Sequence, residues 1–425
     1  MASSSQRHRH DIADPSLAEA GEARIAWASE RMPVLGSIRE RFAAQRPLAG
    51  TIVGACLHVT SETANLLGTL IAGGAEVTVC ASNPLSTQDD VAAALAAGAG
   101  AEVHAIRGED TATYYRHIGA VAARGPQLTM DDGADIVSVI HAERLELADA
   151  IVGGTEGTTS GVIRLRALER ADRLAFPVVA MDEGQTTRLF ANRYGTGQSV
   201  LDGITRATNM LLAGASVVVL GYGECGRGIA RRAQGAGALV VVCEVDPSRA
   251  LEARMDGFEV LTALAAAERG DLFITATGCR DVLVAAHFER MRDGALLANA
   301  GHFDVEINVA ELAGMAVHTS APRSLITRCE LVDGRAVSVL AEGRVVNLAA
   351  GEGNPAAVMD LVFAAQALVA EYLCAHRGEL AHRVHEVPGE IDREVARLKL
   401  ASLGIAIDAL SEDQRAYLAS WEQGT

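Results

Sequence analysis

Three glycines and one acid carry the clearest chemical signal in this 425-residue chain. Residues 216–220 form an apolar, β-branched run that ends in Gly221-Tyr222-Gly223-Glu224-Cys225-Gly226. A helix-compatible stretch follows, and a second apolar run closes at Glu244. This is the order and spacing of a dinucleotide-binding βαβ unit. Gly221 permits the tight turn, Gly223 lets backbone approach a pyrophosphate, and Gly226 lets the helix lie against the strand. The helix N-terminus offers unpaired N–H groups and the positive end of a dipole to the phosphates. Glu244 can accept both hydroxyls of the adenosine ribose, which favours NAD over NADP.

Around this unit, residues 216–348 read as one α/β domain with strands at 217–220, 239–243, 272–275 and 295–298. Thr275-Ala276-Thr277-Gly278 and Asn299-Ala300-Gly301-His302 fall at carboxyl ends of those strands, where ligands lie in open parallel sheets. Upstream, 50–57 reads as a strand running into His58. Segments at 63–72, 75–80, 90–97, 102–106 and 128–130 alternate helix and strand, the last closed by Asp131-Asp132-Gly133. A further α/β unit spans 136–180, and helices are expected at 199–212 and 226–235. An amphipathic helix is expected over 23–44, ending before Arg46-Pro47. Residues 1 to about 20, polar and aperiodic, are expected to be loosely ordered. Past Asn347, a glycine-rich stretch at 351–355 leads into an apolar helix, 356–373, expected to cross back to the first domain. Residues 391–418 read as a helical tail.

Composition narrows the function classes. The chain is 49% hydrophobic, enough for large cores, and long enough for two domains. Its formal net charge of -17 repels phosphate backbones and anionic lipid, so neither nucleic acid nor membrane is an expected partner. The polar opening is no signal peptide, and no apolar run is expected to approach the length of a membrane helix, which points to the cytoplasm. The 7 cysteines show no C-x-x-C pair, so neither a disulfide framework nor a metal site is indicated. Cys225 and Cys279 read as small buried fillers near the cofactor. Lys399 is the only lysine, so a lysine base anywhere else is excluded.

Seven segments, in order along nearly the whole chain, resemble signatures of the S-adenosyl-L-homocysteine hydrolase family. They are Cys56-Leu57-His58-Val59-Thr60, Ser86-Thr87-Gln88-Asp89, Asp131-Asp132-Gly133, Gly221-Tyr222-Gly223, Thr275-Ala276-Thr277-Gly278-Cys279, Gly301-His302-Phe303-Asp304-Val305-Glu306 and Leu340-Ala341-Glu342-Gly343-Arg344-Val345-Val346-Asn347-Leu348. The resemblance implies an α/β fold: a Rossmann-type NAD domain (196–349), a larger α/β substrate domain (1–195 and 350–390), a hinged cleft between them and a helical C-terminal tail (391–425). It also implies a homo-tetramer or dimer and an adenine nucleoside substrate. In that chemistry hydride leaves a ribose 3'-hydroxyl carbon for NAD, the ketone acidifies the C4' proton, the 5' substituent is eliminated, water adds and the hydride returns.

Mapped by resemblance, His58, Asp132 and His302 match catalytic positions, and Thr60 and Glu62 match adenine contacts. Asp132 suits a general base, since a carboxylate in a partly dry cleft has a raised proton affinity. Cofactor contacts fall on Thr158, Thr159, Ser160, Asn192, Gly221, Gly223, Glu224, Cys225, Gly226, Glu244, Arg249, Thr277, Gly278, Asn299, Gly301, His302 and Asn347. The sugar-diol end departs from the family. Its catalytic lysine falls at Thr187, its substrate aspartate at Ala191, its ribose glutamate at Gly157 and its histidine after Met-Gly at Asn354. Arg249 stands where the family has an asparagine, and the basic and aromatic C-terminal residues have no match. Each unmet polar partner of a buried ribose costs about 1 to 3 kcal/mol, so the vacated volume suits a differently substituted sugar, with Arg188 or Glu183 restoring polarity.

Three functions follow. The first is a redox-neutral dehydration of an adenine nucleoside, in which hydroxide leaves an exocyclic carbon, as a nucleoside-antibiotic pathway would use. The second is hydrolysis of S-adenosyl-L-homocysteine or a relative, with Thr187, Arg188 or water in place of the lysine. The third is a non-catalytic NAD-binding partner protein.

Overall fold

The computed structural model describes residues 10–98 and 100–422. Among the described residues the strands run β1 (Asp11–Ile12), β2 (Ile52–Leu57), β3 (Glu76–Ala81), β4 (Ala101–Ala105), β5 (Leu128–Asp131), β6 (Gly153–Glu156), β7 (Val178–Ala180), β8 (Ser216–Leu220), β9 (Leu239–Cys243), β10 (Glu259–Val260), β11 (Leu272–Thr275), β12 (Ala295–Asn299), β13 (Ala316–Arg323), β14 (Ile326–Leu331), β15 (Ala336–Leu340) and β16 (Val384–Glu386). They form two sheets, ordered β1-β4-β3-β2-β5-β6-β7-β16 and β10-β9-β8-β11-β12-β15-β14-β13. The first sheet is parallel throughout. The second is parallel from β10 to β15, then antiparallel. The α/β class with a Rossmann-type NAD domain is therefore present.

In the middle of each sheet the strand order reverses, between β2 and β5 in the first and between β8 and β11 in the second. At such a switch point the connections leave in opposite directions and open a crevice at the carboxyl ends of the strands. His58 and Asp132 directly follow β2 and β5, while Gly221 and Thr277 follow β8 and β11. The fold thus builds two crevices from one rule. The strands beneath them, such as Val217, Val218 and Val219, are wholly buried, as strands covered on both faces must be.

The helix Ala356–Ala375 returns to the first sheet and contributes Leu361, Phe363, Ala364, Val369 and Leu373 to its core. Contrary to the sequence expectation about apolar runs, this segment is long and apolar enough by composition to cross a membrane. Its burial accounts for the composition: most of the helix is packed inside the protein, and a buried helix is apolar on most of its faces. The expected helix over 23–44 is two helices, Ala18–Ser29 and Pro33–Gln45, because Pro33 lacks an N–H and begins the second. Residues 10–20, expected to be loose, hold β1 against β4, and the first helix begins at Ala18; residues 1–9 lie outside the described residues. The expected tail is two helices, Gly389–Ser402 and Glu412–Ala419, with no helix across 404–410; residues 423–425 lie outside the described residues. The antiparallel extension β13–β15 had no counterpart in the sequence reading.

The lone lysine is structural. Lys399 Nζ lies 2.8 Å from Oδ2 of Asp360, a fully buried carboxylate that also accepts the backbone N–H groups of Val34 (3.3 Å) and Leu35 (2.9 Å). Asp360, early in the helix Ala356–Ala375, so joins the start of Pro33–Gln45 and the last turn of Gly389–Ser402 in one node. Lys399→Met leaves that charge with fewer partners and should lower unfolding free energy by about 3 kcal/mol, read as a shift of the denaturant midpoint. A midpoint within error of wild type would remove the node's structural role.

Candidate active site

A cleft of about 1680 Å³ joins the two crevices. Its walls include His58, Thr60, Glu62, Asp132, Gly157, Thr187, Arg188, Ala191 and Asn354 of the expected substrate side. They also include Thr158, Thr159, Ser160, Asn192, Gly221, Gly223, Glu224, Cys225, Glu244, Arg249, Thr277, Gly278, Gly301, His302 and Asn347 of the expected cofactor side. Gly226 and Asn299 lie beneath this surface. A Cβ on Gly226 would sit 1.9 Å from the Gly221 carbonyl oxygen, so its glycine lets the helix Glu224–Gly235 close on the turn. Asn299 is fully buried and spends its amide on the carbonyls of Phe303 and Gly343 and its oxygen on Gly301 N–H. It supports the loop that carries His302.

His58 and Asp132 are placed by capping. Thr60 ends the turn after β2 by accepting Thr63 N–H, and Thr63 Oγ1 in turn donates to the His58 carbonyl at 2.6 Å. After β5, Asp131 accepts the N–H groups of Ile136 and Val137, both at 3.1 Å, at the start of the helix Asp135–Glu143. Glu156, at the end of β6, does more. Its buried carboxylate accepts Gly133 N–H (2.9 Å), Ala134 N–H (2.8 Å), Thr158 N–H (2.8 Å) and Thr158 Oγ1 (2.7 Å). With four donors aimed at it, the ionised form is the one that fits, although burial and the charges of Asp131 and Asp132 push its proton affinity up.

Sequence reasoning passed over Glu156. The signal was available: an acid closing a buried strand beside a Gly-Thr-Thr-Ser turn.

His302 reaches across from the second sheet. Its ring centroid lies 5.5 Å from that of His58, and a Cβ on Gly133 would stand 2.6 Å from His302 Nε2. Gly133 (φ +107°) is therefore needed both for the turn and for the approach. Burial holds His302 down to about 4, and holds His58 well below the ordinary histidine value with help from His302. Both rings are neutral at pH 7, and Ser82 Oγ holds His58 Nδ1 at 3.0 Å. Asp132 is pushed up to about 7, by burial first and then by Asp182. A carboxylate at that value can both take and return a proton near neutrality.

The cofactor wall fits NAD. Gly221 has φ +100°, and a Cβ on Gly223 would meet nothing nearer than Arg249 Nη1 at 3.8 Å, so backbone there faces open cleft. Glu306 fixes the opposite lip by accepting the N–H groups of Thr277 and Gly278. Glu244 closes β9 and accepts the N–H groups of Tyr222, Val245 and Asp246, which pins the glycine turn to the acid. Cys279, expected to be buried, is exposed, and Cys225 is half-buried with its thiol pushed up to about 12 by burial.

The sugar-facing region carries little positive charge. Arg188 is exposed at the rim, and Arg166 is paired with Glu183 at 2.6 Å. Thr187 Oγ1 is buried without a hydrogen-bond partner among the described residues. It begins a π-helical stretch, Thr187–Thr196, that also carries Ala191 and Asn192. Asn354 accepts Ser199 Oγ at 2.8 Å, and Ser199 accepts Asn347 Nδ2 at 3.1 Å. A Cβ on Gly157 would lie 2.2 Å from Asp132 Oδ1, so the Asp132 carboxylate occupies the space into which a side chain at 157 would grow.

Known proteins place this geometry. Residues 9–150 match the family profile described as S-adenosyl-L-homocysteine hydrolase, and residues 192–353 match the profile of that enzyme's NAD-binding domain. The chain is 57% identical over 415 residues to an adenosylhomocysteinase of Aquifex aeolicus, covering 98% of this chain and 99% of that one. It is 56% identical over 414 residues to an adenosylhomocysteinase of Thermococcus kodakarensis, covering 97% and 98%. It is also 53% identical over 415 residues to an S-inosyl-L-homocysteine hydrolase of Methanopyrus kandleri, covering 97% and 98%.

If Asp132 must be ionised to act, kcat/KM rises with pH through an apparent value near the about 7 of its carboxyl. Because its folded value is raised, stability runs the other way and falls as pH rises through the same range. Asp132→Asn should flatten the acidic limb of the pH–rate profile and lessen the stability slope between pH 5.5 and 8.5, part of which belongs to Asp131, whose carboxyl burial also pushes up to about 7. An unchanged acidic limb in that variant assigns the limb elsewhere.

Proposed function

Because the chain belongs to the S-adenosyl-L-homocysteine hydrolase family, we propose that it hydrolyses S-adenosyl-L-homocysteine or a close analogue through a transient keto-sugar. The observation that carries this reading is the meeting of His58 and Asp132, from one sheet, with His302, from the other, in a cleft whose far wall is the dinucleotide cradle. NAD, when bound, supplies a hydride acceptor that makes the ring carbon a ketone and its neighbouring C–H acidic. Asp132 then takes that proton. Neutral His58 and His302 flank the carboxylate, exclude water and leave no cation to lower its proton affinity. Thr60 and Glu62 receive the base at the near end of the cleft.

Removal of a general base costs about 10²- to 10⁴-fold, so the absence of a lysine at 187 would slow hydrolysis unless another group serves. That observation, with Ala191 lining the same cleft, favours a second reading: dehydration of an adenine nucleoside bearing an extra exocyclic hydroxyl, as in nucleoside-antibiotic biosynthesis; the space beside Gly157 is already taken by the Asp132 carboxylate. Elimination of hydroxide needs the same proton removal by Asp132 but no later attack by water. We further place the chain in the cytoplasm as a homo-oligomer, on the strength of its charge and its family.

The two readings part in one experiment. Incubation of the NAD-loaded protein with S-adenosyl-L-homocysteine should release adenosine and homocysteine, followed by mass spectrometry. Loss of one water from an adenine nucleoside with no cleavage of the thioether would replace hydrolysis by dehydration. No conversion of either, and no transient absorbance of reduced nicotinamide, would leave a binding protein.

A further inference from the structure

The keto-sugar route releases two protons in sequence, one from the hydroxyl oxygen as it is oxidised and one from the neighbouring carbon once the ketone has formed. Asp132 accounts for the second. The first needs its own acceptor, and no lysine lies in the cleft. Asp182 stands on the short turn Met181–Glu183 that follows β7, at the same carboxyl-end layer as His58 and Asp132, and it lines the cleft. Its Oδ2 accepts Thr159 Oγ1 at 2.6 Å and its Oδ1 accepts Asn192 Nδ2 at 2.9 Å. Both donors belong to the cofactor wall, so the carboxylate is held on the side from which hydride must leave. An ionised carboxylate has about four acceptor sites, so two remain for a ligand.

The environment suits the task. Burial raises the proton affinity of Asp182, Thr159 and Asn192 oppose it, and Glu183 adds to it while Arg188 subtracts. Asp182 also contributes to the raised value of Asp132, which puts the two acids in electrostatic contact. Thr187, with its unpartnered hydroxyl, shares the π-helical stretch with Asn192. Thr187 and Asp182 both line the cleft, so a lysine grafted at 187 would open into it.

We propose that Asp182 is the base that accepts the ring-hydroxyl proton, in the role a lysine would otherwise fill. The inference rests on the redox reading above. The hydroxyl O–H bond breaks and its proton passes to the Asp182 carboxylate, the C–H bond breaks and its electron pair leaves as hydride to the bound NAD, and a C=O bond forms. On return of the hydride, Asp182 gives the proton back, so the carboxylate is regenerated within each turnover.

The test uses the NAD-loaded protein and Asp182→Asn, a variant that can keep both hydrogen bonds to Thr159 and Asn192. NAD content should match wild type, while the appearance of reduced-nicotinamide absorbance on mixing with adenosine should slow by about 10²- to 10⁴-fold. Adding Thr187→Lys to that variant should restore part of the rate, a result that lost packing would not give. Calorimetry on the protein loaded with reduced NADH, which cannot accept a hydride, supplies a readout without turnover. Adenosine should bind D182N about tenfold more weakly, the cost of one charge-assisted hydrogen bond, whereas either 2'-deoxyadenosine or 3'-deoxyadenosine should bind both proteins alike. Wild-type rates in D182N, or equal weakening for adenosine and both deoxynucleosides, overturn Asp182 as the base and leave the functional reading intact. If wild type binds no adenine nucleoside at all, the functional reading falls, and this assignment with it.

Discussion

The buried carboxylate of Glu156 is the constraint on which the site depends. Three backbone N–H groups and one hydroxyl converge on it from two turns, one carrying Asp132 and Gly133, the other Thr158 to Ser160. Neither turn has a regular ladder to fix it, and both contain backbone groups that would be costly to bury unpaired. One side chain satisfies them together and so sets the distance between an acid on the substrate side and a threonine on the cofactor side. The price in space is visible at Gly161, where a Cβ would fall 2.2 Å from the Glu156 carboxyl. Only glycine lets the helix Thr159–Arg170 begin that close.

Across the cleft, Glu306 repeats the device. It holds the N–H groups of Thr277 and Gly278 at the switch point of the second sheet, as Glu156 does at the end of β6. Both crevices are therefore lined by amides that have been turned toward buried acids; arginines such as Arg227, Arg249 and Arg280 also line the cleft, whereas the charge that acts on Asp132 is that of Asp182. This explains how two neutral histidines and a carboxyl near 7 can coexist within one pocket. A cation beside Asp132 would pull its proton affinity down and weaken it as a base.

Much of this was legible in the sequence, for reasons that differ by element. The strands of both sheets are short apolar runs ended by turn residues, and Gly221 to Glu244 carries its spacing openly, so fold class and cofactor wall could be read directly. His58, Asp132 and His302 stood out through the motifs around them. What was hidden depends on contacts distant in the chain. Glu156 and Asp182 look like ordinary acids until β6 and β7 bring them beside residues from other turns. The split at Pro33 was visible as a proline but was overridden by the amphipathic pattern on either side. The strand at Asp11–Ile12 is too short for periodicity and exists only because β4 offers an edge. The apolar helix Ala356–Ala375 shows the same limit in reverse, since composition alone does not separate a core helix from a membrane one.

The commitment of Lys399 to Asp360 has a chemical consequence apart from stability. Every other side-chain cation in the protein is an arginine or histidine, so an amine-directed reagent finds a single ε-amine, and that amine is clamped between the helices Gly389–Ser402 and Ala356–Ala375. Acylation there requires the amine to give up its ion pair with Asp360. The chain thus carries a single ε-amine that reports on this helix contact, and both helices that form it also contribute residues to the cleft wall, Val362 and Phe363 from one and Asp392 and Arg393 from the other.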